Sequence, residues 1–331
     1  MSNDTHTNGQ HRHQQWQPLV IVALTATVVI LIMTASTHPT HAASSVYLGV
    51  YQQGAPWSMT PLDQFERDAG KKAAIVMWYH DWVVAPALDT TMLRTVTARG
   101  SVPMITWEPW DYTKGTNQPQ FRLQTIIDGT HDAYIQSWAT GLKGYGGPVL
   151  LRFGHEMNGT WYPWGTGVNS NTPAQYVQAW QHVRGIFAAI GATNVRWVWS
   201  PNIIVGAVDF TSFFPGDGAV DWVGLDGYNW GGRGTWKSFA ELFGPSYQRL
   251  TTLSQKPVMV AEMASAEEGG NKGTWISDAY STQIPTRFPR IQAVIWFNEH
   301  KERDWRIQSS PRARRAFADA VASPVYLSRW P

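Results

Sequence analysis

A single parallel (β/α)8 barrel is the fold this sequence predicts, and three features carry the expectation. Short apolar runs recur eight times, stretches of helical spacing lie between them, and the repeat averages about 35 residues, the length of one strand–helix unit. The runs are apolar on both faces, as strands buried on both sides of a parallel sheet must be. In chain order they are VYLGVY (46–51), AAIVMWY (73–79), VPMITW (102–107), PVLLRFG (148–154), NVRWVWS (194–200), DWVGLDGY (221–228), PVMVAE (257–262) and IQAVIWF (291–297). Helical spacing marks 132–143 and 174–190, and the second follows Asn171-Thr172-Pro173, a helix start. An open doubly wound sheet is the competing arrangement, but no phosphate-type glycine fingerprint follows the first strand. The predicted domain fills 46–331, with no internal repeat and no linker after residue 45.

Ahead of the barrel, residues 1–17 are polar and rich in His and Gln, and 18–35 (PLVIVALTATVVILIMTA) are apolar except for three Thr. That run is long for the apolar part of a signal peptide and short for a membrane span. Thr40-His41-Ala42, in the linker 36–45, is a loose match to a cleavage site. Export is expected, leaving the enzyme-sized remainder secreted or anchored at the cell surface.

Composition narrows the function. The apolar fraction is 43%, which excludes wholesale disorder, and charged residues are only 15%. Lys plus Arg is 26 against 24 Asp plus Glu, with no basic run, so nucleic acid is not an expected partner. There is no Cys, which removes disulfides, thiol nucleophiles and Cys-ligated zinc together. The 19 Trp, 12 Tyr and 12 Phe exceed what a core needs and suit a flat, uncharged, partly apolar ligand such as a sugar.

The strand ends collect the chemistry. Trp78-Tyr79-His80-Asp81, Trp107-Glu108-Pro109-Trp110, His155-Glu156, Trp199, Asp226-Gly227-Tyr228-Asn229-Trp230, Glu262 and Trp296-Phe297-Asn298-Glu299 all close predicted strands. In a (β/α)8 barrel this C-terminal end is the active face. HEMNG (155–159) lacks the second His of a zinc protease helix, and His80-Asp81 and His155-Glu156 have no third ligand at a metal spacing, so no metal is expected. No Gly-x-Ser-x-Gly elbow occurs. Gly231-Gly232-Arg233-Gly234 reads as a flexible loop, and the sequon at Asn158-Gly159-Thr160 falls inside the site, which argues against a glycan there. Carboxylate chemistry remains. Glycoside hydrolysis needs one carboxylic acid to protonate the leaving oxygen and one carboxylate to attack or to activate water. Glu156 and Glu262, close to three repeat units apart, supply such a pair, but Asp81, Glu108, Asp226 and Glu299 also end strands, and spacing alone does not choose.

Residues 151–165, LRFGHEMNGTWYPWG, resemble glycoside hydrolase family 26, the family of β-mannanases and relatives. Asp226-Gly227-Tyr228, the segment from Lys256 to Glu262, Trp296 and Asp304-Trp305-Arg306 follow in matching order, so the resemblance spans about 46–322. It implies a retaining (β/α)8 enzyme with Glu156 as acid/base and Glu262 as nucleophile, without metal or organic cofactor. Tyr228 would orient the nucleophile. His155 would touch sugar hydroxyls or position Glu156, and Trp161, Trp164 and Trp296 would offer ring faces to sugars. Arg152 would be a buried partner of a catalytic carboxylate or a sugar ligand, while His80, Trp107, Glu108 and Trp110 would line remoter subsites. Mannan is the favoured substrate and a monomer the expected state; relatives that act on mixed-linkage β-glucan and β-1,3-xylan keep those open. A transglycosylase of the same chemistry and a barrel that binds polysaccharide without cutting it are the rivals.

Overall fold

Every residue pair that joins one strand to the next in this computed structural model is parallel, and the first strand pairs with both the second and the eighth, so the sheet closes on itself. The structure describes residues 45–84, 86–204, 208–232 and 236–331. The polar tail, the apolar run 18–35, the linker up to residue 44, and Arg233 and Gly234 lie outside the described residues. Among the described residues no helix is long and apolar enough to cross a membrane.

The barrel strands are β1 (Val46–Gln52), β2 (Ile75–Asp81), β3 (Val102–Glu108), β4 (Val149–Phe153), β5 (Val195–Trp199), β6 (Trp222–Asn229), β7 (Val258–Ser265) and β8 (Ile291–Asn298). Each contains its predicted run or most of it, with all but β4 and β5 continuing further toward the active face. The helices are α1 (Thr60–Ala69), α2 (Thr90–Thr97), α3 (Leu123–Ile127), α4 (Asp132–Tyr145), α5 (Pro173–Ile190), α6 (Phe239–Leu253), α7 (Lys272–Ser277), α8 (Ile284–Arg287) and α9 (Pro311–Val321). A short β9 (Tyr326–Leu327) adds to the start of β1.

Alternation along each strand divides the apolar side chains between two cores. Ile75, Met77, Met104, Leu150, Val198, Met259, Ala261, Ala293 and Ile295 fill the barrel interior. The intervening residues, among them Trp78, Ile105, Trp107, Leu151, Phe153, Trp199 and Trp296, join the larger core under the helices. Helix α5 shows how the sequence builds that outer layer. Thr172 and Gln175 form a capping box around Pro173, Gly191 ends the helix in the left-handed region, and Tyr176, Ala179, Trp180, Val183 and Phe187 form its buried stripe. Losing such a cap costs about 1 kcal/mol.

The alternation breaks at the start of β8, where the pairing steps from Val258↔Ile291 to Met259↔Ala293, and again at the site, in β7. Between β6 and β7 the pairing steps from Leu225↔Val260 to Asp226↔Glu262, and between β7 and β8 from Val260↔Val294 to Met263↔Trp296. Strand β7 therefore carries one extra residue, a bulge at Ala261–Glu262. Ala261 belongs to the interior core, and Glu262 also turns inward to meet Arg152.

Candidate active site

Strand β4 ends in a sharp turn. Gly154 and Glu156 both have left-handed backbone, at φ 51° and 50°. For a glutamate this costs about 1–3 kcal/mol and persists only where the surroundings fix it. Here the Glu156 N–H donates to the carbonyl of Ser200 at 2.8 Å, and its own carbonyl accepts from the Gly159 N–H at 2.9 Å. The turn lifts the carboxyl of Glu156 to the barrel mouth, where Asn202 Nδ2 donates to Oε1 at 2.8 Å and Trp161 Nε1 to Oε2 at 2.5 Å. Asn202 is set by a reciprocal pair with Asn158: its N–H donates to Asn158 Oδ1 and its carbonyl accepts from Asn158 Nδ2, both at 2.9 Å. Asn158, 3% exposed, spends its amide on this contact rather than on solvent. Burial, reinforced by the charge of Glu262, pushes the Glu156 carboxyl up to about 7.

Glu262 meets a different set of partners. Its Oε1 accepts from Arg152 Nη2 and its Oε2 from the Tyr228 hydroxyl at 2.5 Å. Arg152 is wholly buried, donating through Nη1 to Asp226 Oδ2 at 2.8 Å and through Nε and Nη2 to Thr106 Oγ1 at 3.0 and 2.7 Å. Ser200 Oγ donates to the other Asp226 oxygen at 2.8 Å. A buried guanidinium is tolerated only when its donors are matched, and removing one partner strands the charge at a cost of about 3–5 kcal/mol. Burial and the neighbouring Glu262 push the Tyr228 hydroxyl far up, so it stays a donor.

His155 lies between these groups, fully buried, with Nε2 3.0 Å from the Tyr162 hydroxyl. It is 3.8 Å from Glu262 Oε1 and 3.9 Å from Glu108 Oε1, beyond hydrogen-bond reach of both. Burial, then Arg152, pushes the imidazole far below its ordinary value, so it is neutral. Burial also raises the Glu108 carboxyl to about 8, although Trp110 Nε1 donates to it at 3.3 Å. His155, Asp226 and Glu262 bring ligand-type atoms within 4.8 Å of one another, as a cation site would. The guanidinium of Arg152 already donates to both carboxylates of that group.

Of the predicted residues, Glu156, Glu262, His155, Tyr228, Arg152, Trp161, Glu108 and Trp110 come together at the mouth. Trp161 is 45% exposed, with its indole N–H on the Glu156 carboxyl. Arg152 is a partner of Glu262, the first of the two roles expected for it. Four aromatic expectations need correction. Trp164 is 1% exposed, stacks on Tyr162 at 4.4 Å and 6°, and donates Nε1 to the carbonyl of His155 at 2.7 Å; it supports the turn from behind. Trp296 and Trp107 occupy outward positions of β8 and β3. Trp296 packs on Tyr280 and Phe317 and Trp107 on Trp138 and Phe187, under the helices. His80 is also outward on β2, edge-on to Trp138 at 4.5 Å, beside a cavity of about 120 Å³ shared with Leu88 and Met92. All three follow from strand parity, since each is one residue removed from an inward neighbour.

Sequence reasoning missed Asn202 as a partner of Glu156. Its signal was present in Ser200-Pro201-Asn202, a polar group directly after the fifth predicted strand. Two rival carboxylates are used elsewhere: Asp81 accepts the N–H groups of Val83 and Val84 at 2.9 and 2.6 Å, and Glu299 accepts from the Tyr51 hydroxyl at 3.0 Å.

A closed (β/α)8 barrel holding two glutamates in opposed surroundings at the ends of β4 and β7 defines the class of glycoside hydrolases. The family model of glycosyl hydrolase family 26 matches residues 102–320, more than half of the chain, and the chain belongs to that family. It is 38% identical over 299 residues to endoglucanase H of Acetivibrio thermocellus, covering 87% of this chain and 32% of that protein. It is 29% identical over 216 residues to a mannan endo-1,4-beta-mannosidase of Bacillus subtilis, covering 63% of this chain and 50% of the relative. Among solved structures, a Bacillus subtilis mannanase superposes with a TM-score of 0.63 at 22% identity, over 84% of this chain and 86% of that one, a likeness of fold. The chain thus spans a third to a half of the length of these curated relatives.

Proposed function

We propose that this chain is a retaining endo-β-glycosidase that cuts a β-linked polysaccharide through a covalent glycosyl-enzyme. The observation that carries the reading is the contrast between the two glutamates. Glu262, gripped by Arg152 and Tyr228, attacks the anomeric carbon as the bond to the leaving oxygen breaks. Glu156, protonated near neutral pH, gives its proton to that oxygen. Glu156 then takes a proton from water as the water attacks the same carbon and Glu262 departs, which restores both groups and retains the anomeric configuration. Such a mechanism asks for carboxyl groups about 5–5.5 Å apart. Trp161 donates to Glu156 with its indole edge and offers its face to the sugar.

Action inside a polymer is supported by the surface. Among the described residues the exposed large apolar side chains are Trp57 after β1, Val83 and Val84 after β2, Tyr112 after β3, Trp161 after β4, Val208 after β5 and Trp230 after β6. Each sits on a loop that leaves the C-terminal end of a strand, so the apolar surface is spread across the whole mouth, as a chain of several sugars would require. A β-glucan is the favoured backbone, because the relative matching most of the barrel bears the name endoglucanase. Mannan, favoured by sequence alone, is the second reading and rests on the mannosidase match. The apolar run 18–35 supports export to the cell surface or beyond.

The test is hydrolysis by the full chain of mixed-linkage β-glucan, β-1,4-glucan, mannan and β-1,3-xylan, with the first-formed anomer followed by NMR and Glu262→Ala as control. A β-anomer from one polysaccharide, absent with the variant, is expected. An α-anomer would overturn the retaining mechanism, and tight binding without cleavage would make the barrel a binding module.

A further inference from the structure

Two features near the mouth are not used by the bond-breaking chemistry: an exposed tryptophan at the end of β6 and a lysine with no exposed surface at the start of α7. They are connected through one buried ring. Trp230 is 48% exposed, and it stands two residues beyond Tyr228, on the side of the strand that Tyr228 occupies. Its ring lies 6.0 Å from Tyr228 and meets Trp305 edge-on at 5.0 Å and 86°. The backbone behind it is seated closely. Gly231 and Gly232 are left-handed (φ 57° and 56°), and a Cβ on Gly231 would come within 1.8 Å of the Glu268 carbonyl, so only glycine fits. Arg303 Nε donates to the Trp230 carbonyl at 3.4 Å.

Trp305 is held on every side. Its N–H donates to the carbonyls of Glu299 and Arg303 at 3.0 and 3.1 Å, and its carbonyl accepts from Trp296 Nε1 at 3.1 Å. The residues before and after it are fixed by Lys272, whose Nζ donates to the carbonyls of Asp304 and Arg306 at 2.9 and 2.7 Å and to Ser309 Oγ at 2.9 Å. That satisfies all three ammonium protons, the condition for burying this cation.

We propose that Trp230 is a platform for a pyranose unit of the substrate beyond the unit held by Glu156 and Glu262, and that Lys272 is the positioning residue that fixes this platform through Trp305. The inference rests on the β-glycosidase reading and adds a binding position to it. The exposed indole face takes the C–H face of a β-linked sugar, Trp305 prevents the indole from tilting away, and Lys272 keeps Trp305 from moving with the loop between β8 and α9.

The test compares the full chain with Trp230→Ala and Lys272→Met on β-linked oligosaccharides of increasing length, taken from the polysaccharide that the wild type cuts. In the wild type, kcat/KM should rise at each added unit that finds a subsite. In Trp230→Ala one of those steps should shrink about tenfold, mainly through KM, the value of one lost stacking contact. The same step should shrink in Lys272→Met. An unchanged length profile in Trp230→Ala overturns the platform. A folded Lys272→Met with a lowered Tm and wild-type KM at every length makes the lysine structural only. Should Lys272→Met fail to fold, Ser309→Ala removes a single acceptor, and it should raise KM at that step by a smaller factor; a flat profile there overturns the positioning role. A wild type that cuts no glycan overturns the parent reading instead. The platform would then be read from quenching of tryptophan fluorescence by the same oligosaccharides, which Trp230→Ala should lose.

Discussion

The ends of β4 and β7 each deliver a glutamate to the barrel mouth, and they do so by different means. At β4 the backbone itself is forced into the left-handed region, and the carboxyl meets two neutral donors, an amide and an indole. At β7 an extra residue rotates the strand, and the carboxyl meets a guanidinium shared with Asp226 and a tyrosine hydroxyl. The same side chain is thus placed in two opposed surroundings. Burial and the charge of Glu262, working against the two donors, leave Glu156 protonated close to neutral pH, while Glu262 faces a matched cation and a donor that hold it in one orientation. Residue type says that acid–base chemistry is possible; the environment sets the two carboxyls apart.

The comparison breaks most sharply at Glu262. Glu262→Ala should cut turnover by a factor on the order of 10⁴ or more, and substantial residual cleavage would show that the nucleophile lies elsewhere. Glu156→Ala should lose about 10²–10⁴ on polysaccharide yet still react with aryl glycosides whose leaving group needs no proton, accumulating the glycosyl-enzyme. Full activity of this variant on polysaccharide would contradict the acid/base role. Tyr228→Phe removes one hydrogen bond to Glu262 and should lower kcat by about 10–100-fold, in line with about 1.5–3 kcal/mol for a bond to a charged group.

Titration sharpens the contrast further. The rate should fall as pH rises through about 7, because Glu156 must carry its proton to act as acid. Asn202 and Trp161 both favour its charged form, so Asn202→Ala and Trp161→Phe should move that alkaline limit upward. The charge of Glu262 acts the other way, and in Glu262→Gln the Glu156 carboxyl should titrate lower, as NMR of the inactive protein would read directly. The smallest effect is on stability. Glu108 is raised from about 4.5 unfolded to about 8 folded, so its protonated form is the one the fold favours. That contribution is complete below the ordinary carboxyl range and is lost as pH rises toward 8. Glu108→Gln should therefore be more thermostable than wild type at pH 8 and gain nothing at pH 4; a constant difference in Tm would refute the assignment.

The eight strands were legible because burial on both faces leaves dense apolar runs, and two of the helices because of their spacing, the second also by its start at Asn171-Thr172-Pro173. Which side of the sheet a strand-end residue faces was harder. His80, Trp107 and Trp296 each sit one position from an inward residue, and their chemical type invited a reading that alternation forbids. Glu262 is the opposite case. Counting alternately from Met259 and Ala261 points it at the helices, and only the bulge turns it in, a backbone event with no side-chain signature. Asn202 escaped because it lies past the strand, and its value comes from Asn158, which is 44 residues away in sequence and adjacent in space.

The bulge in β7 has a consequence for how this protein can change over time. Most positions in a barrel strand are tested by what occupies them; Ala261–Glu262 is tested by how many residues are there. Deleting one codon at this point would leave every remaining side chain chemically intact, yet it would turn the carboxyl of Glu262 away from Arg152 and leave that guanidinium a buried charge short of a partner. Tolerance to substitution and tolerance to deletion are therefore uncoupled in β7, and the placement of Glu262 is set by arithmetic as much as by chemistry.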